Sequence, residues 1–145
     1  MRTLLLAVLL SPVLASQDLD AVKREPDLEK RSEKALLYAE KVVGGVRKLY
    51  EAGEWAAVLS ALGEVEQCAV LARESLQKSG KNPRRSPKYF KRAELMLRAL
   101  ARRLESAAQA VSFDERPDIT RVKDVVQKEH DTVLQFIMTG SREVK

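Results

Sequence analysis

The chain has 145 residues, enough for one ordinary domain, and 26 Lys and Arg against 21 Asp and Glu give it a formal charge of +5. Its single Cys and single His rule out an internal disulfide, a paired Glu-x-x-His di-iron centre and a Cys-x-x-Cys-His haem attachment. The basic balance favours solubility and weak attraction to anions without naming a partner, and a composition led by Glu, Lys, Arg, Ala and Leu suits long helices.

The first stretch reads as a secretory signal peptide over residues 1–15. Met1, Arg2 and Thr3 give a short basic start, Leu4 to Leu10 an unbroken apolar run, and Val13-Leu14-Ala15 the small residues before cleavage, expected after Ala15. The run is well short of the roughly 20 apolar residues that span a bilayer. No later stretch reads as an integral membrane segment, and no Cys follows the cleavage region to carry a lipid. Loss of Arg2 takes the formal charge from +5 to +4. The mature chain is therefore expected to be exported, to a periplasm or to the medium.

Residues 16–25 are polar, with isolated Leu19 and Val22, and read as a linker or one frayed turn. A first helix is expected over 26–52. Pro26 suits its first turn, Asp27 and Glu29 favour its dipole, and Leu28, Ala35, Ala39, Val42, Val46 and Leu49 form its apolar face. Gly53 is placed to stop it. A second helix over 54–79 follows at once, with Trp55, Val58, Leu62, Val65, Ala69, Ala72 and Leu76 at steps of three and four. So tight a connection makes these two helices antiparallel neighbours. Gly80, Asn82 and Pro83 end the second.

The third helix, 87–112, carries the clearest stripe: Phe90, Ala93, Leu97, Leu100, Leu104, Ala107 and Val111. The fourth, 117–139, starts at Pro117, buries Ile119, Val122, Val126, Val133 and Phe136, and stops at Gly140. Residues 141–145 read as a disordered tail. The four helices are of matched length, roughly 35 to 40 Å each. The predicted fold is all-α: an up-down-up-down four-helix bundle over 26–140 with left-handed seam packing. A tetratricopeptide pair would need shorter helices and a 34-residue repeat, and no internal repeat is present.

Three constellations stand out. Lys78, Lys81, Arg84, Arg85, Lys88, Lys91 and Arg92 lie in a stretch free of acids, and the start of the third helix adds free N–H groups. Lys81, Arg84, Arg85, Lys88, Lys91 and Arg92 are accordingly the candidate anion-binding residues, for a lipid surface or an envelope polymer. Stacking on bases has little support, since Phe90 belongs to the core stripe. The second is a polar break in the fourth helix: the stripe steps from Val126 onto Glu129, beside His130. Counting outward from the turns places Glu129 and His130 near Tyr38, Lys41, Cys68 and Met96, a polar core layer with structural hydrogen bonding as its plain reading. The sharper reading is a copper or haem site centred on His130 with Cys68 and Met96; no metal site or cofactor is assigned. The third is Gly44, Gly45 and Gly63 inside helices, either a close approach of the first two helices or tolerated surface glycine.

No Gly-rich phosphate loop or nucleophile elbow is present, so the chain is expected not to be an enzyme. Cys68 is expected to be buried. Its alternative use is to cross-link a homodimer. The layout resembles the small secreted helical bundles of bacteria, without the Leu-Thr-x-x-Gln signature of periplasmic stress chaperones. That resemblance is architectural only and transfers no residue roles. The chain itself reads as a non-enzymatic protein that binds or scaffolds through its helical surfaces in a cell envelope, with an unidentified protein or envelope partner.

Overall fold

The computed structural model describes residues 13–143, with side chains from Asp18 onward. The expected signal core, Leu4 to Leu10, and the last two residues of the expected tail lie outside the described residues. Five helices follow in order: α1 (Val13–Lys23), α2 (Leu28–Glu51), α3 (Trp55–Lys78), α4 (Lys88–Ala110) and α5 (Arg116–Thr139). No strand occurs among the described residues. The all-helical expectation holds, and the four long helices fall within two residues of their expected bounds.

The stretch over 16–25 is a correction. It is neither a linker nor a single frayed turn but most of the 11-residue α1, and that helix starts at Val13, ahead of the expected cleavage point. So short and polar a helix is marginal alone in water. It persists because Leu19 is buried and Val22 packs against the core, and because the Lys23 ammonium reaches Gln67 of α3. Two apolar residues are too few to register as a periodic face.

The helix ends follow their capping residues. Asp27 caps α2 by accepting from the Lys30 N–H at 3.0 Å, and Gly53, Gly80 and Gly140 adopt left-handed φ values of 73°, 74° and 70°. Across the α2–α3 turn, Tyr50 and Trp55 meet edge to face, ring centroids 6.1 Å apart.

The connections decide which helices are neighbours. α2 packs antiparallel on α3, and α4 antiparallel on α5. The long loop between α3 and α4 then crosses the structure, so α3 and α4 barely touch. α2 instead lies parallel beside α4, tied by Glu33 to Arg92 at 2.9 Å near one end and by the Tyr50 hydroxyl to the Ser112 N–H at 3.1 Å near the other. α3 lies parallel beside α5 in the same way.

One core fills the space between them. Leu36, Val46, Leu62, Leu97, Leu100, Leu104, Ile119 and Val126 are buried in it, and Phe90 meets Phe136 edge to face at 6.5 Å. One detail of the α4 stripe moves: Ala108 is buried, whereas Ala107 is only partly so. α3 is long and apolar enough to cross a membrane by length and composition, contrary to the reading that no later stretch qualifies. Its stripe from Val58 to Leu76 is buried in the shared core.

Two hydroxyls in this interior, those of Ser32 on α2 and Ser75 on α3, are buried with no hydrogen-bond partner among the described residues. An unsatisfied buried hydroxyl costs about 1 kcal/mol or more. Ser32→Ala and Ser75→Ala are each expected to raise stability by about 1 kcal/mol in urea unfolding.

Candidate functional site

The basic loop is built on Asn82. Its Oδ1 accepts the N–H of Arg84 at 2.8 Å and of Arg85 at 3.2 Å, and its carbonyl accepts the Ser86 N–H at 2.8 Å. Arg84 then crosses to the end of α5 and donates from Nη2 to the Met138 carbonyl at 2.7 Å. Its side chain lies over Gly140, where an added Cβ would come within 2.9 Å of Arg84 Cδ. Gly140 is thus fixed twice, by its φ of 70° and by this contact.

The six candidate cations therefore divide. Arg84 is spent on a carbonyl, Lys81 lies 4.0 Å from Glu29, and Arg92 pairs with Glu33 at 2.9 Å. Arg85, Lys88 and Lys91 are exposed and have no acidic partner among the described residues. Lys88 Nζ stands 5.2 Å from the centre of the Tyr89 ring. Beside them α4 begins without a side-chain cap, which leaves first-turn N–H groups to solvent.

The expected polar layer is not one layer. Glu129 faces α3, where Arg73 Nε donates to its Oε2 at 2.6 Å and Nη1 of the same guanidinium holds Gln77 at 2.8 Å. His130, one residue on, faces α4: its Nε2 lies 2.8 Å from Glu94 Oε1 and its Nδ1 3.0 Å from Asp131 Oδ1. Arg98 closes on the same Glu94 oxygen. Burial pushes the Glu94 carboxyl up, but hydrogen bonds from His130 and Arg98 outweigh it and hold the group below its ordinary value. Asp131 is also held low, chiefly by its hydrogen bond with His130.

Tyr38 and Cys68 belong elsewhere, on the α2–α3 side under α1. The Tyr38 hydroxyl donates to Glu64 at 2.8 Å, and burial, then Glu64, push its pKa up. Cys68 is fully buried, and burial raises its thiol to about 12. It is poorly ionised at neutral pH, and it cannot bridge two copies without the core opening. Met96 is half-buried on α4. His130, Cys68 and Met96 do not converge, and no group of three His, Cys, Asp or Glu able to hold a metal ion occurs among the described residues. The sequence reading missed Arg73 and Glu94. Glu94 was masked by Arg98 four residues on, which makes it look like an ordinary surface pair.

The helix glycines do not bring α2 and α3 together. A Cβ on Gly45 or Gly63 would meet nothing within 4 Å, and one on Gly44 only Arg103 Nη2 at 3.6 Å. Gly45 instead lines a shallow groove with Val42, Leu49 and Ala61. Gly45→Ala and Gly63→Ala are each expected to stabilise by about 1 kcal/mol in thermal or urea melts.

Comparison of the chain with family models, curated proteins and solved structures finds no match.

Proposed function

We propose that this is an exported, non-enzymatic binding or scaffolding protein of a cell envelope, and that its basic end meets polyanions. In this reading the four long helices work as an up-down-up-down bundle with left-handed seams. The signal-like start sends the chain to the periplasm or the medium. The observation that carries the proposal is the cluster of Arg85, Lys88 and Lys91, free of acidic partners and set beside the uncapped start of α4. Asn82 and Arg84 staple the loop that carries Arg85 and leads into α4, which carries Lys88 and Lys91. Charges held ready in this way lose little freedom on meeting phosphate or carboxylate groups. The single His, engaged with two carboxylates, and the single Cys, buried, lend no support to a catalytic role.

Binding to inorganic polyphosphate, followed by fluorescence anisotropy, tests this reading. Three cationic contacts predict a fall in affinity of roughly 20- to 40-fold between about 50 and 200 mM salt. Arg85→Ala, Lys88→Ala and Lys91→Ala together should abolish most of the low-salt binding, whereas Lys48→Ala, an exposed cation in the last turn of α2 at the opposite end of the bundle, should change it little. Salt-independent binding, or equal binding by the triple variant, would overturn the proposal.

A further inference from the structure

We propose that the polyanion is the surface of an anionic lipid bilayer, met by the outer face of α4 together with the end of α5. This rests on the polyanion reading above and adds an apolar half to it. Five large apolar side chains are exposed among the described residues, and two of them, Leu95 at 57% and Met138 at 67%, belong to the basic end. Leu95 follows Lys88 by seven residues and Lys91 by four, and precedes Arg102 by seven. These four side chains therefore form one outward stripe on α4, and all four are exposed.

The register of α4 and α5 puts exposed Met138 at the level where that stripe begins. Phe90 meets Phe136, and Glu94 meets His130, so Met138 falls near the level of Lys88. The Arg84 bond to the Met138 carbonyl fixes the same proximity from the loop side. Most acids near this face are engaged. Glu94 is buried between His130 and Arg98, Asp131 holds His130 through Oδ1 although its side chain is 63% exposed, and Glu143 lines a hollow with Gln77, Asn82 and Gly140 at the edge of the basic end.

A soluble polyanion would use the cations alone and leave Leu95 and Met138 in water. A bilayer interface uses both: phosphate headgroups take the Lys and Arg heads, and the acyl boundary takes the two apolar side chains. The long Lys and Arg stems reach across the difference in depth. Phe113, 81% exposed, provides an internal contrast. It stands at the opposite end of α4, next to Asp114 and Glu115, where an anionic surface would be repelled.

Flotation of the full chain with vesicles tests the proposal. Equimolar phosphatidylglycerol and phosphatidylcholine are compared with phosphatidylcholine alone, and the neutral arm measures any binding due to the apolar residues 4–10. Three cations predict a preference for the anionic vesicles on the order of a hundredfold, lost in R85E/K88E/K91E. L95S/M138S should weaken anionic-vesicle binding roughly tenfold and leave polyphosphate binding intact, and F113S should change neither. Circular dichroism confirms that each variant is folded. Equal binding to both vesicle types, or vesicle binding indifferent to L95S/M138S, overturns the bilayer proposal while polyphosphate binding keeps the polyanion reading alive. Loss of both kinds of binding to the wild-type chain overturns both.

Discussion

Arg73→Met is expected to destabilise the protein by about 3 kcal/mol, read as a lower urea midpoint with an unchanged slope. The Arg73 side chain is 18% exposed and that of Glu129 only 7%, and they meet at 2.6 Å. Methionine can follow the path of the arginine stem but offers no charge. It would leave the Glu129 carboxyl between α3 and α5 without its cationic partner, the arrangement in which breaking a buried pair costs most. The double variant Arg73→Met, Glu129→Leu removes the stranded carboxyl and should regain most of the loss, because an apolar pair of similar volume suits that seam. A single-variant loss under about 1 kcal/mol would mean that the pair behaves as a surface ion pair. A double variant as unstable as the single would mean that the guanidinium acts through Gln77 or Glu74, its other partners.

This pair also explains what could and could not be read from the sequence. The apolar stripes were legible because each long helix repeats its pattern over six turns, and the stop signals were legible because Gly53, Gly80 and Gly140 each take the left-handed conformation. Neighbours were not legible. Counting residues from a turn gives height along the axis, and at its height Glu129 could have faced Tyr38 or Cys68. The crossing between α3 and α4 places α3, not α2, beside α5, so Glu129 meets Arg73. His130, about 100° further round the helix, meets Glu94 on α4. The basic loop shows the same limit. The sequence counts its cations correctly, but only the three-dimensional path shows that Arg84 is consumed by the Met138 carbonyl while Arg85, Lys88 and Lys91 face outward.

His130→Leu is expected to cost about 2 kcal/mol at pH 7, the worth of a buried hydrogen bond to a charged group, and the deficit should shrink as the solution is acidified. In the wild-type chain Glu94 receives His130 and Arg98 together, and these contacts hold its carboxyl below the ordinary value despite burial. A carboxyl depressed in the folded state contributes stability that is fully present above its unfolded value of about 4.3. That contribution is lost as pH falls through the depressed value, since the unfolded chain binds the proton first. Asp131, also held low by His130, acts in the same direction. Removing the imidazole leaves Glu94 with Arg98 alone, so its carboxyl rises toward the ordinary range and less stability remains to be lost in acid. Urea midpoints for the two proteins should therefore lie well apart at pH 7 and converge near pH 3. A gap of constant size across that window would mean that His130 acts by filling space between α4 and α5 rather than by its contacts with the two carboxylates. His130→Gln, which keeps a donor within reach of Glu94, separates these cases: it should recover part of the neutral-pH loss only if the hydrogen bond carries the effect.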